Sequence, residues 1–226
     1  MKEEEQDHKV ICIKEASFLT SATKLSFCPP PDVMEVVFLG RSNVGKSTFI
    51  NLLLEKNLAK SSSTPGKTQL INFFHTIWER KAPFMQTATF RLIDLPGFGY
   101  AKVSKATKKH WEHHLWEFLH QRISIKLFVH LIDARHTNLQ ADTTLQNLLH
   151  SIARPDQRIL SVYTKFDKLN KNQQHIFYQK GRVVVSNNDK MINKKFGGKA
   201  KIQEMILNGV LGIDANRDDD TKTHIE

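Results

Sequence analysis

Residues 35–57 read EVVFLGRSNVGKSTFINLLLEKN. EVVFLG (35–40) is a short apolar run ending in Gly, the pattern of a buried strand. KSTFINLLLEKN (46–57) has helical spacing. Between them GRSNVGKS (40–47) matches G-x-x-x-x-G-K-[ST] in the strand–helix setting that this motif requires. Gly40 and Gly45 let the backbone wrap a phosphate without Cβ clashes, so that the loop's N–H groups point inward. The following helix offers its positive N-terminus to the same anion. Lys46 reaches the β- and γ-phosphates, and the Ser47 hydroxyl ligates Mg²⁺. The bland alternative is a Gly-rich turn that starts a helix, but a chance match is expected only ~0.01 times in a chain of this composition.

Outward from this loop, strand and helix patterns alternate. INFFHTIW (71–78), TATFRLIDL (87–95), IKLFVHLIDA (125–134), RILSVYT (158–164) and RVVVS (182–186) read as strands. The runs at 125–134 and 158–164 are almost continuously apolar, as strands covered on both faces are. Helices are expected over 106–122, 169–180 and 200–211; in the first, Trp111, Leu115, Phe118 and Leu119 share one face. SSSTPGKTQ (61–69) reads as a loop. The alternation predicts an α/β fold with a mainly parallel, doubly wound sheet. Residues 1–34 end in CPPPD and read as an N-terminal extension packed on a main domain at 35–213, with 214–226 an acidic, disordered tail.

The loop at 40–47 does not by itself choose the base or the reaction, since kinases, ATPases and GTPases share it. Three later elements bear on that choice. DLPG (94–97) ends a hydrophobic strand. Asp94 stands where P-loop hydrolases hold Mg²⁺ through water, and Gly97 can bring its N–H close to a γ-phosphate. An ordinary strand exit is the alternative, because Pro-Gly is good turn chemistry. TKFD (164–167) follows another buried strand. Guanine presents two donors on one edge, which a carboxylate at Asp167 can accept and adenine lacks. The Lys165 stem can cover the base plane. VVVSNN (183–188) offers backbone N–H groups near Val185, Ser186 or Asn187 to guanine O6.

GRSNVGKS, STPGKTQ with the INFF after it, DLPGFGYAKVS and TKFD stand in one order, and with them the chain resembles the EngB family of translation-factor-class GTPases. The resemblance spans nearly the whole chain. It implies a three-layer, Ras-like P-loop G domain that hydrolyses GTP to GDP with slow intrinsic turnover. It also implies a role in assembly of the large ribosomal subunit and in normal cell division and septation. Carried over by position, Gly40, Arg41, Ser42, Asn43, Val44, Gly45, Lys46 and Ser47 bind the phosphates. Gly66, Lys67, Thr68, Gln69 and Leu70 form the first switch, with Thr68 the second Mg²⁺ ligand. Thr64 competes for that role, but the family pattern and Gly66 favour Thr68. Asp94, Leu95, Pro96 and Gly97 lie on the γ-phosphate side, and Thr164, Lys165, Phe166 and Asp167 at the guanine. Thr164 replaces the more common Asn, and Ser186-Asn187 replaces the usual Ser-Ser or Ser-Ala.

In Ras-like GTPases the residue after Asp-x-x-Gly is a Gln that orients the attacking water. Here it is Phe98, which cannot hydrogen-bond. In related GTPases with Asn at position 43 the side chain helps hold K⁺ at the phosphates, so Asn43 joins Lys46, Thr68 and Gly97 as a catalytic candidate, against a mere loop-capping role.

Composition narrows the partner classes. The net charge is +10, yet residues 1–34 and 214–226 are each net acidic, leaving +15 on 35–213. Such a field favours a polyanion. The basic stretches 102–126 and 164–201 can meet rRNA phosphates, or can simply be solvated faces. No run approaches a membrane span and no secretory signal is visible, so a cytoplasmic protein is expected, with no membrane partner, no DNA partner and a monomeric state. Cys12 and Cys28 form no framework. His110 and His114 are one helical turn apart but lack a third zinc ligand. DANRDDD (214–220) echoes a calcium loop, yet its sixth position is Asp219 and its twelfth Ile225. The alternatives to a GTPase switch are a nucleotide or small-molecule kinase, which TKFD disfavours, and a non-catalytic, nucleotide-gated RNA-binding protein.

Overall fold

A computed structural model describes residues 10–60, 70–82, 84–98, 105–186, 192 and 195–213, with backbone alone for 105–112. Six strands, β1 (Ile11–Ala22), β2 (Met34–Gly40), β3 (Ile71–Arg80), β4 (Gln86–Asp94), β5 (Ile125–Asp133) and β6 (Arg158–Thr164), form one sheet in the order β1-β3-β4-β2-β5-β6. The pairs β4·β2, β2·β5 and β5·β6 are parallel, and β1·β3 and β3·β4 antiparallel.

The alternation of β2 builds the layers. Val36 and Phe38 point to one face, where Ile50, Leu53 and Leu54 of α1 (Lys46–Leu54) and Ile206 of α5 (Lys199–Leu211) cover them. Val37 and Leu39 point to the other, under Leu115, Phe118 and Leu119 of α2 (Lys105–Gln121) and Leu145 and Leu149 of α3 (Gln140–Ile152). A strand apolar on both sides must be central, and β2 is. The Trp111 side chain lies outside the described ones. A smaller cluster of Phe166, Phe177 and Val184 packs beneath α4 (Lys171–Gln179), whose start is closed by a capping box between Asn170 and Gln173.

Four elements depart from the sequence reading. Residues 11–22, treated as part of an extension, are an edge strand of the sheet, in register with β3 from Ile11↔Arg80 to Ala22↔Ile71. Helix α3 was not expected, although Asp142, Leu145 and Leu149 form its buried face at helical spacing. RVVVS is not a strand: Val184 makes single bridges to Tyr163 and Gly197. Val183 O and Val185 N–H bond Tyr163 on one side, Val184 N–H and C=O bond Phe196 and Gly198 on the other, and the pairing is limited to these single bridges. Helix α1 stops at Leu54, short of the expected 57, because Glu55 turns left-handed at φ 55°.

Below the sheet, Glu35 is wholly buried and binds Arg122 through two hydrogen bonds of 2.5 and 2.6 Å and Ser124 through one of 2.6 Å. Arg122 also donates to Pro29 O at 2.9 Å, and Arg91 donates to Pro30 O at 2.6 Å and pairs with Asp32 at 2.7 Å. These two guanidiniums fasten the Pro-rich segment to the sheet, since Pro carbonyls accept without competing N–H groups. Among the described residues, no helix is long and apolar enough to cross a membrane and no group of three or more His, Cys, Asp or Glu forms a metal cluster.

Candidate functional site

The loop after β2 turns tightly because two of its residues have positive φ, Asn43 at 61° and Gly45 at 99°. Gly40, at the strand end, has no room for a side chain: a Cβ there would stand 2.7 Å from Leu131 O. Val44 N–H closes the turn on Arg41 O at 3.3 Å, and the Phe49 N–H to Gly45 O bond of 2.9 Å opens α1. The N-terminus of α1 therefore points into a cleft lined by Ser42, Asn43, Lys46 and Ser47, by Asp94 to Gly97, and by Leu70 and Asn72.

Asp94, 5% exposed at the end of β4, brings the chemistry together. Lys46 Nζ donates to one of its carboxylate oxygens, and Ser47 Oγ donates to the other at 3.1 Å. The residues expected to meet a metal and a terminal phosphate thus face one another. Gly97 comes so close to the loop that a Cβ would lie 2.8 Å from Ser42 N and Cα. Phe98 N–H donates to Gly40 O at 2.9 Å, and the Phe98 side chain packs against the α2–α3 core. Position 98 is therefore a hydrophobic anchor for the chain leaving β4.

A second cleft shares Gly45 and Thr48 with the first and is lined by Phe49, Leu52, Thr164, Lys165, Asp167, Lys168, Val185 and Ser186. Thr164 Oγ1 lies 2.7 Å from Val44 O, so the shorter hydroxyl in place of Asn still bonds the phosphate loop. Lys165, left-handed at φ 57°, donates to Asn43 O at 2.6 Å and to Asp133 at 3.0 Å. Burial opposes ionisation of Asp133, but hydrogen bonds from Arg135 and Lys165 outweigh it and hold its carboxyl well below the usual range. Asp167 accepts from Ser186 Oγ at 3.1 Å, which orients the carboxylate. Phe166 is wholly buried, so its side chain pins the loop from behind and does not face the cleft. Gly66, Lys67, Thr68, Gln69 and Asn187 lie outside the described residues, as do Thr64 and 214–226.

The sequence reading missed Asp142, which only the packing of α3 reveals. Arg41 Nε lies 3.1 Å from both Asp142 oxygens, and the aspartate side chain is 4% exposed. The Arg41 side chain is thus engaged by protein, leaving its backbone N–H for a phosphate. Burial pushes the Asp142 carboxyl up, against the pull of Arg41. His130 is wholly buried beside it, Nε2 3.9 Å from Asp142, with neither ring nitrogen hydrogen-bonded among the described residues; burial pushes its imidazole down to about 4.

With this geometry, comparison with known proteins is specific. A family model described as 50S ribosome-binding GTPase matches residues 35–165. The chain is similar to the "Probable GTP-binding protein EngB" of Helicobacter pylori strain Shi470, 63% identical over 166 residues that cover 74% of this chain and 79% of that one. It is similar to the Helicobacter hepaticus protein of the same name, 56% identical over 179 residues covering 79% and 78%. Toc33 from Arabidopsis thaliana, solved with Mg²⁺ and GMPPNP, shares the fold at a TM-score of 0.52 and 16% identity, over 80% of this chain and 85% of that one.

Proposed function

The chain belongs to the EngB family of GTP-binding proteins, and from that premise we propose that it is a Mg²⁺-dependent GTPase switch acting in assembly of the large ribosomal subunit. The observation that carries this reading is the pair of clefts adjoining at Gly45 and Thr48, one lined by Lys46, Ser47 and Asp94, the other by Asp167. A single guanosine triphosphate laid along α1's N-terminus can meet both. The loop N–H groups and Lys46 bind the phosphates, Gly97 N–H approaches the γ-phosphate, and Asp167, steadied by Ser186, accepts the guanine donors. Ser47 and Thr68 would ligate Mg²⁺, with Asp94 reaching it through water; the facing hydroxyl and carboxylate at 3.1 Å suit a hard cation. When bound, Mg²⁺ would supply positive charge against the charge that develops on the phosphate oxygens.

Hydrolysis would release the loops at 66–70 and 97–104 and change affinity for a partner. That partner is the large-subunit precursor, rRNA and ribosomal proteins, a reading supported by the family description and by the +15 charge of residues 35–213. We take 1–34 as an N-terminal extension that lends the edge strand β1 to that G domain and 214–226 as an acidic tail, in a cytoplasmic monomer with a part in cell division and septation. Co-sedimentation with large subunits across a salt series should be strongest with a GTP analogue, weaker with GDP, and lost as salt rises. Equal pelleting in every nucleotide state would refute the switch.

Asn43, in the cleft beside Ser42 and Gly45, is the K⁺ ligand in this proposal. Turnover should rise several-fold in K⁺ over Na⁺ at equal ionic strength, and that difference should vanish in Asn43→Ala. Identical rates in the two salts would remove the ion from the mechanism.

A further inference from the structure

Among the described residues, three cationic side chains line the phosphate cleft, Arg41, Lys46 and Lys60. Two are committed. Arg41 is held by the buried Asp142, and withdrawing it would leave that carboxylate without its guanidinium. Lys46 faces Asp94 and carries the phosphate role of its motif. Lys60 is exposed and, among the described residues, makes no hydrogen bond or ion pair. Nothing has to be broken for its amine to meet an anion.

Its backbone is nonetheless held in place. The Asn51 amide, on α1, accepts from Leu58 N–H at 2.9 Å and Ala59 N–H at 2.7 Å. The same amide donates to Ala59 O at 2.8 Å and to Asn57 Oδ1 at 2.9 Å. Ala59, adjacent to Lys60, is 5% exposed. The helix that starts at the phosphate loop therefore also fixes the position from which the Lys60 side chain departs. Lys60 lines the cleft with Asp94, Gly97 and Asn72, and Asn72 is in register with Asp94 across β3 and β4. It does not line the Asp167 cleft. Its place is therefore the phosphate cleft, not the base cleft.

We propose that Lys60 is a terminal-phosphate ligand, a cation supplied from within the chain to charge developing on the γ-phosphoryl oxygens. Phe98 supplies no polar group there, since its side chain packs against the core. A flexible ammonium suits this task, because it can follow the oxygens as they move from bound to transferring geometry. The inference rests on the GTPase reading above.

The test compares Lys60→Ala and Lys60→Arg with the unaltered chain in fluorescent-nucleotide titrations and single-turnover GTP hydrolysis. For an exposed cation, Lys60→Ala should lower the hydrolysis rate and GTP-analogue affinity together by about tenfold, leave GDP affinity within about twofold, and be rescued largely by Arg. Unchanged hydrolysis in Lys60→Ala would overturn the proposal. Equal losses for GDP and the GTP analogue would overturn it too, because they place the lysine away from the γ-phosphate. If the unaltered chain bound ATP as well as GTP, the guanine reading would fail, while the Lys60 comparison would still be read with either triphosphate.

Discussion

Asp167→Asn is expected to weaken GTP binding by about 10³-fold or more and to turn the preference toward a xanthine nucleotide. The carboxylate accepts from both N1–H and the exocyclic amine of guanine; an amide offers one acceptor and one donor, and the donor meets the amine head-on. Xanthine carries a carbonyl where guanine has that amine, so the Asn pair is complementary again. The substitution is nearly isosteric, and Ser186 Oγ, 3.1 Å from Oδ1, can still hold the side chain in place. Calorimetric titration with GTP, XTP and ATP reads the change. GTP affinity that stayed at the level of the unaltered chain would show that residue 167 does not touch the base.

Glu35→Ala is expected to cost about 3–5 kcal/mol of folding stability, a fall in midpoint of about 10 °C for a domain of this size. Arg122 is 4% exposed, so its guanidinium cannot recover water when the carboxylate disappears, whereas Arg91, 3.5 Å from Glu35, keeps Asp32. Ser124 Oγ loses its acceptor as well. The damage reaches function indirectly, because Glu35 lies near the start of the strand that ends at the phosphate loop. Glu35→Gln, which keeps the shape and one acceptor oxygen, should fall between the two. Urea or thermal unfolding measures it, and a cost under about 1 kcal/mol would mean that the cluster relaxes or hydrates freely.

The phosphate loop was legible because its constraints are local. Gly45 needs its freedom for a φ of 99°, and Lys46 and Ser47 begin a helix whose spacing is visible in one turn. Asp94 and Asp167 were legible for a related reason: each follows an apolar strand, and a strand end in a parallel sheet is where side chains reach a ligand. The edge strand at 11–22 was harder to see, since its burial runs irregularly and includes exposed Phe18 and Leu19, half covered because one side of an edge faces water. RVVVS misled because β-branched residues satisfy a core as well as a ladder.

What could be read from the chain alone was the alternation of the central strands and helices, the glycine-rich loop at 40–47 and the strand-end places of Asp94 and Asp167, because each is written in contiguous residues whose backbone geometry and chemistry belong together. Folding was needed to settle that Phe98 packs against the core, that Asp142 takes the Arg41 side chain, and that Asn51 fixes the chain leading to Lys60 beside the cleft. Those outcomes depend on which side chains from distant elements are buried against one another, and burial sets the cost of an unpaired charge. That cost belongs to the folded interior and is carried by no single stretch of chain.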